Sequence, residues 1–170
     1  AYDTDGDTWV EVTTEEAPWP VALQAMAYDP SVDRIVLWGG AERDESVVWT
    51  FDLESATWSA ATWDPTPEPA WDAFLVWDAV AEQMLLVGGE GPTTVQISAE
   101  ITAREVRLRD EVWALDVGAG AWALLGRLPE QVSQHACADD PGGTGVFIWN
   151  LSALLPVDPA IGTGMAEEQE

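Results

Sequence analysis

Lysine is absent from this 170-residue chain, and six arginines stand against 31 acidic residues. The formal net charge of −25 excludes nucleic acid and anionic membrane surfaces as natural partners, because phosphate binding needs clustered cations. Such a surface keeps the chain soluble while self-repulsion works against compactness; a halophilic source or a calcium-rich medium accounts for it. Cysteine is almost absent too. Cys137 stands alone, so no internal disulfide forms and the redox compartment stays open. In the run His135-Ala136-Cys137-Ala138 it reads as a small buried hydrophobe. His135 is the single histidine, which removes any two-His metal set. No apolar run approaches the ~20 residues of a membrane span. Ala1 opens no basic, apolar leader pattern, and the chain begins as if cut through a repeat. An upstream signal peptide would make the protein extracellular or periplasmic, and without one it would be cytoplasmic. The GxSxG, Walker and Rossmann glycine motifs are missing, and Gly142-Gly143-Thr144-Gly145 after Pro141 reads as a turn. No cofactor and no metal are expected.

What is present is repetition. Tyr2-Asp3 precedes Trp9, Phe51-Asp52 precedes Trp58, and Leu115-Asp116 precedes Trp122, each Trp seven positions after the apolar residue. Asp29 leads to Trp38-Gly39-Gly40 and Asp78 to Val87-Gly88-Gly89, the Gly pair beginning ten positions on. Tyr2 to Phe51, Trp9 to Trp58, Asp29 to Asp78 and Gly39 to Gly88 are all 49 residues apart. A period near 50 marks a propeller or array, whose units bury their faces only by stacking on one another. Hydrophobic residues at 47% suffice for a core, and the eleven Trp recur with the repeats, as packing residues do.

Between these markers lie short strands bounded by turn residues. Leu23–Tyr28, Arg34–Trp38, Ser46–Leu53 and a strand around Trp58 form an expected four-stranded antiparallel meander. It recurs as Ala73–Trp77, Gln83–Val87, Glu111–Leu115 and Ala121–Leu124. A third round starts at His135–Asp140, and Asp140 to Trp149 repeats the nine-residue step from Asp29 to Trp38. That round decays at Asn150-Leu151, where the Gly pair is missing.

Val36-Leu37-Trp38-Gly39-Gly40 with Phe51 and Trp58, and Leu85-Leu86-Val87-Gly88-Gly89 with Leu115 and Trp122, resemble the kelch repeat. Leu115 departs from that family's usual aromatic. His135 matches a His often found at the start of its inner strand, where the other copies carry Gln24 and Ala73. The resemblance implies an all-β fold of four-stranded antiparallel blades of a kelch-type β-propeller. It has two complete blades, with pieces about 1–14, 20–62, 70–126 and 132–152 in a region spanning 1–155. An acidic, disordered tail is expected over 156–170. The ends, two strands at each, are complementary half-blades. Either the chain is a fragment of a longer propeller, or missing strands come from another copy through self-association at the half-blade edges. As repeat markers, Trp9, Gly39, Gly40, Trp58, Gly88, Gly89 and Trp122 serve packing. Asp3, Asp52 and Asp116 are expected to accept backbone amides of the following turn.

The longer step of 64 residues from Trp58 to Trp122 places an insertion in Glu90–Asp110. Alternation of Val95, Ile97, Ala99 and Ile101 with polar residues predicts a half-buried strand there. Arg104, Arg107 and Arg109, interleaved with acids, predict a salt-bridged β-ribbon or an Arg that grips a carboxylate or phosphate. The acidic Asp3-Thr4-Asp5-Gly6-Asp7 opens like a calcium loop but lacks its closing Glu, and reads as a turn. Glu15–Ala22, Ala41–Glu45, Trp63–Trp71, Glu90–Asp110 and Leu128–Gln134 are expected on one loop face, where repeat proteins bind. Candidate binding residues there are Trp19, Arg43, Trp63, Trp71, Arg104, Arg107, Arg109 and His135. The Trp residues either cap blade interfaces or form an aromatic platform for a sugar or peptide. Two function classes follow. A non-catalytic binding or scaffold module for a protein or carbohydrate partner is favoured; the alternative is a fragment of a carbohydrate-active kelch-type enzyme, a sugar oxidase or epimerase with its catalytic residues elsewhere.

Overall fold

The computed structural model describes residues 1–19, 22–41, 45–99, 102–140, 145–149 and 154–156. One local device builds most of it. An Asp ends a strand, and its carboxylate accepts backbone amides of the following turn. The residue four positions after that Asp adopts a left-handed backbone and the next strand begins. Asp3 accepts from Asp5 and Gly6, Asp29 from Ser31, Asp52 from Ser55, Asp78 from Val80 and Ala81, and Asp116 from Ala119. The left-handed residues are Asp7, Asp33, Ala56, Glu82 and Gly120. Such turns match the twist of paired strands and set their register. The role expected for Asp3, Asp52 and Asp116 is the one they have, and Asp3–Asp7 is the first of these turns.

Strands β1 (Tyr2–Asp3) and β2 (Thr8–Trp9) form a two-stranded hairpin. β3 (Ala25–Asp29), β4 (Arg34–Trp38), β5 (Val48–Asp52) and β6 (Thr57–Ala61) form a four-stranded antiparallel meander, hereafter the first sheet. The second sheet runs β7 (Phe74–Asp78), β8 (Gln83–Val87), β10 (Thr102–Asp116) and β11 (Ala121–Val132), with β9 (Glu90–Gln96) paired to the far half of β10. The third sheet holds β12 (Ala136–Asp140), β13 (Gly145–Trp149) and β14 (Leu154–Pro156). Two complete four-stranded meanders, as expected, are thus flanked by partial ones.

The last sheet departs from the expected two strands. β14 pairs with β13 in the register Phe147–Pro156, Ile148–Leu155, Trp149–Leu154, and Pro156 belongs to it rather than to the tail. The edge of β13 that a two-strand complement from another copy would use is therefore occupied. The insertion also differs. Gln96 pairs with Thr102, so the chain reverses between them and the alternation of Val95 to Thr102 spans a hairpin tip instead of one strand. β11 continues to Val132, carrying much of Leu128–Gln134 out of the loop category.

The seven-residue spacing is a cross-strand pair: Tyr2 lies opposite Trp9, Phe51 opposite Trp58 and Leu115 opposite Trp122. The three Trp do sit on the outermost strand of successive sheets, yet their burial differs widely. Trp122 is 4% exposed and Trp9 82%, with Trp58 half-buried. Trp122 meets Trp38 of the first sheet edge to face at 6.3 Å, whereas Trp58 rests on Phe51 of its own sheet at 5.0 Å. The ring is buried only where a full sheet lies across from it.

Two cores result. Val36, Trp38 and Val48 on one side of the first sheet pack against Leu75, Met84, Leu86, Leu115 and Trp122 of the second. Val76, Leu85, Val87, Val112 and Ala114 on the second sheet's other side pack against Val146 and Ile148 of the third. The Gly pairs close these joints. The Gly40 amide donates to the Ala70 carbonyl (3.0 Å), and the Gly89 amide to the Val132 carbonyl (2.7 Å). A Cβ on Gly39 would lie 2.4 Å from the Ala70 oxygen, and one on Gly88 2.6 Å from the Val132 oxygen. Both glycines have positive φ, 72° and 56°. Only glycine admits this backbone and this approach together.

Candidate functional site

The connections after the Gly pairs and those leading into the next sheet gather at one end of the molecule. The largest feature there is the β9–β10 hairpin. β10 is 15 residues long: its second half is the third strand of the second sheet, while its first half runs out with β9 beyond the sheet. Arg109 sits at the change-over. Its side chain is largely buried; Nη1 donates to Glu68, and Nη2 to the Pro92 carbonyl (3.1 Å) and, at 3.4 Å, the Pro69 carbonyl. Arg109 thus fastens the hairpin to the Glu68–Ala70 segment. Among the described residues its Nε has no partner.

Trp71 fastens the same base. Its backbone bridges Glu90 in both directions at 2.8 Å, and its indole Nε1 donates to the Glu90 carboxylate at 2.8 Å. Trp63 is half-buried against the first core and touches Gly120, whose added Cβ would meet the indole Nε1 at 2.8 Å. Both indoles are therefore spent on packing. A cleft of about 460 Å³ lies between the hairpin and the segment before it, lined by Glu68, Pro69, Pro92, Thr93, Thr94 and Arg104. Further along the hairpin Arg107 is exposed, with the Glu105 carboxylate 3.6 Å away. Ile97, Val106 and Leu108 expose aliphatic surface beside these cations. Periodicity had no means of separating Arg109, which is structural, from Arg104 and Arg107, which face solvent.

Trp19 is elsewhere. It is 67% exposed and, with Pro18, Leu37, Gly39, Glu45, Val47, Trp49 and Ala60, lines a cleft of about 190 Å³ on the rim of the first sheet. Arg43 lies outside the described residues.

His135 immediately precedes β12, as Gln24 precedes β3 and Ala73 precedes β7. It is 9% exposed, beside Gly88 and 6.0 Å from the Phe74 ring. Burial pushes its imidazole below the ordinary histidine range, and the Val87 carbonyl and Asp72 carboxylate only partly oppose this. Neither ring nitrogen makes a well-formed hydrogen bond among the described residues. It is a neutral core histidine at the joint between the second and third sheets. Burial likewise pushes the Cys137 thiol up to about 12, which keeps it unreactive. Among the described residues no three His, Cys, Asp or Glu side chains converge as a metal site would require.

No family model and no curated protein matches the chain. Solved structures do. The structure of YjhT, a kelch-repeat propeller protein, matches with a TM-score of 0.60 at 17% identity, over 81% of this chain and 35% of that one. The fold is that of part of a kelch propeller. The sheets above are its blades, and the chain spans about a third of the matched propeller's length. At this identity the likeness speaks for the fold alone, so the loop-face residues must be read on their own chemistry.

Proposed function

We propose that this partial propeller is a non-catalytic binding module whose β9–β10 hairpin meets a protein partner. The observation that carries the reading is the hairpin itself. The first blade lacks it, Arg109 and Trp71 anchor it, and it extends aliphatic and cationic side chains from an otherwise strongly acidic molecule. Ordered elements that expose Ile97, Val106 and Leu108 beside Arg104 and Arg107 have the mixed apolar and arginine character of recognition surfaces. A pre-anchored hairpin also loses little conformational freedom on binding. Glu105 beside Arg107 leaves that guanidinium a carboxylate to exchange for one on the partner.

Selection of a random peptide library on the immobilised chain, beside a neutral glycan array, tests the reading. Enriched peptides are expected to lose tenfold or more in affinity to Val106→Asp and Arg107→Glu, both at exposed sites, and to be indifferent to Trp19→Ala. Peptides insensitive to both hairpin substitutions would refute it. Glycan binding abolished by Trp19→Ala would replace it with a carbohydrate-binding reading.

A further inference from the structure

β9 has one edge that the local sequence keeps open. Its unbroken register with β10 runs from Glu90 opposite Leu108 to Gln96 opposite Thr102. The Gly89 carbonyl accepts from the Arg109 amide of β10, whereas the Glu90 amide and carbonyl both bond Trp71 on the other edge. Backbone groups of successive strand residues point to alternate edges. Gly91, Thr93 and Val95 therefore turn theirs to β10, and Pro92 and Thr94 turn theirs to the side of Trp71.

The segment before Trp71 starts along that edge and cannot continue. The antiparallel bridge of Trp71 with Glu90, carried on by two residues, sets Pro69 opposite Pro92. Neither has an N–H, so no ladder bond forms there; Arg109 Nη2 donates to both carbonyls instead, at 3.4 and 3.1 Å. Two residues further on, Pro67 would stand opposite Thr94, but it is buried and its carbonyl accepts from the Ser46 hydroxyl. The two segments part, and the cleft lined by Glu68, Pro69, Pro92, Thr93, Thr94 and Arg104 opens between them. Among the described residues no backbone group pairs with the Thr94 amide and carbonyl on this side. Arg104 stands opposite Thr94 on β10 and lines the same cleft, while the Glu68 carboxylate is engaged by Arg109.

On the reading that the hairpin binds a protein, we infer that the partner enters this cleft as an extended segment, adds a strand to β9 at Thr94 and sets an Asp or Glu against Arg104. Strand addition to a sheet edge draws affinity from main-chain bonds and specificity from alternate side chains. Thr94 supplies a donor and an acceptor. Arg104 supplies the choice of side chain, because a guanidinium recognises a carboxylate in a geometry few other groups match. Pro92 fixes where pairing stops, since it has no N–H and its carbonyl is taken by Arg109.

The experiment uses peptides enriched on the immobilised 170-residue chain that lose affinity to Val106→Asp. Thr94→Pro deletes the outward amide and leaves the bonds to β10 in place, as Pro92 already does; it should weaken these peptides by about tenfold or more. Thr94→Val keeps the amide and should change affinity less than about twofold. N-methylation of the peptide amides, one at a time, should cost about tenfold at one residue or at residues two apart, and little between them. That scan decides alone should Thr94→Pro fail to melt like the wild type. Replacing the peptide's Asp or Glu by Asn or Gln should weaken binding to the wild type and not to Arg104→Gln. Hairpin-dependent peptides that ignore Thr94→Pro, or respond equally to Thr94→Val, would overturn strand addition and leave the hairpin reading standing. Peptides without Asp or Glu that Arg104→Gln leaves unchanged would overturn the carboxylate contact. A selection that yields no Val106-dependent peptide would overturn both the inference and the hairpin reading.

Discussion

Trp9, Trp58 and Trp122 carry the same sequence signal, so replacing each by Ala isolates what the neighbouring blade contributes. Trp122 is enclosed between blades, and removing a buried Trp leaves a cavity costing about 3–5 kcal/mol. Its edge-to-face contact with Trp38 adds to that loss. Its indole Nε1, however, has no partner among the described residues, and deleting an unsatisfied donor returns part of the loss. Trp122→Ala is therefore expected at about 3–4 kcal/mol. Trp58, partly buried on Phe51, keeps part of its ring in water, which sets Trp58→Ala at about 1–2 kcal/mol. Trp9, 82% exposed, should cost less than about 1 kcal/mol. Urea melts followed by far-ultraviolet circular dichroism, at concentrations where midpoints do not depend on protein, give all three values. Equal losses, or Trp9 the costliest, would refute the claim that inter-blade stacking stabilises these rings.

Gly88→Ala should destabilise by at least about 2 kcal/mol, because the new methyl meets the Val132 side chain and carbonyl on a left-handed backbone; urea midpoints measure it. Ala56→Gly should stabilise by about 0.5–1 kcal/mol, since Ala56 closes an exposed turn at φ 53°. A loss there would show that the left-handed turn is not a source of strain. His135 makes stability depend on pH. Its folded pKa lies below the ordinary value of about 6.5, so the unfolded chain takes up the proton first. Stability therefore falls as pH drops below about 6.5, by at most ~1.4 kcal/mol per unit, until the folded pKa is reached. Melts at pH 7.5 and 6.0 should show this loss in the wild type and a smaller one in His135→Gln; equal losses in both would argue against a buried neutral imidazole.

Much of the blade could be read directly. Asp52 followed by the turn ending at Ala56, and Trp58 seven residues beyond Phe51, describe a hairpin complete in one short stretch of chain. The Gly pairs were legible for a similar reason: their positive φ and lack of Cβ are properties of the residue, whatever neighbour comes close. The hairpin at Glu90–Asp110 was legible as an insertion with β character, but not in phase. Alternation from Val95 to Thr102 continues straight through the reversal, since periodicity does not say which residues pair.

Trp63 lies in a loop, as its prolines indicated, and of the two roles open to it there, capping or platform, it is held against the first core. Arg104, Arg107 and Arg109 share a composition, yet Arg109 ends largely buried against Glu68 and the Pro92 carbonyl, contacts that arise once the hairpin folds against the preceding segment. Trp9 and Trp122 differ most of all. Turn chemistry and strand period are settled by atoms within a few residues of one another, so the sequence alone determined the blades and their order. Burial belongs to whatever lies across an interface, often fifty or more residues away, and for that reason only the tertiary structure decided which rings are core and which arginine is an anchor.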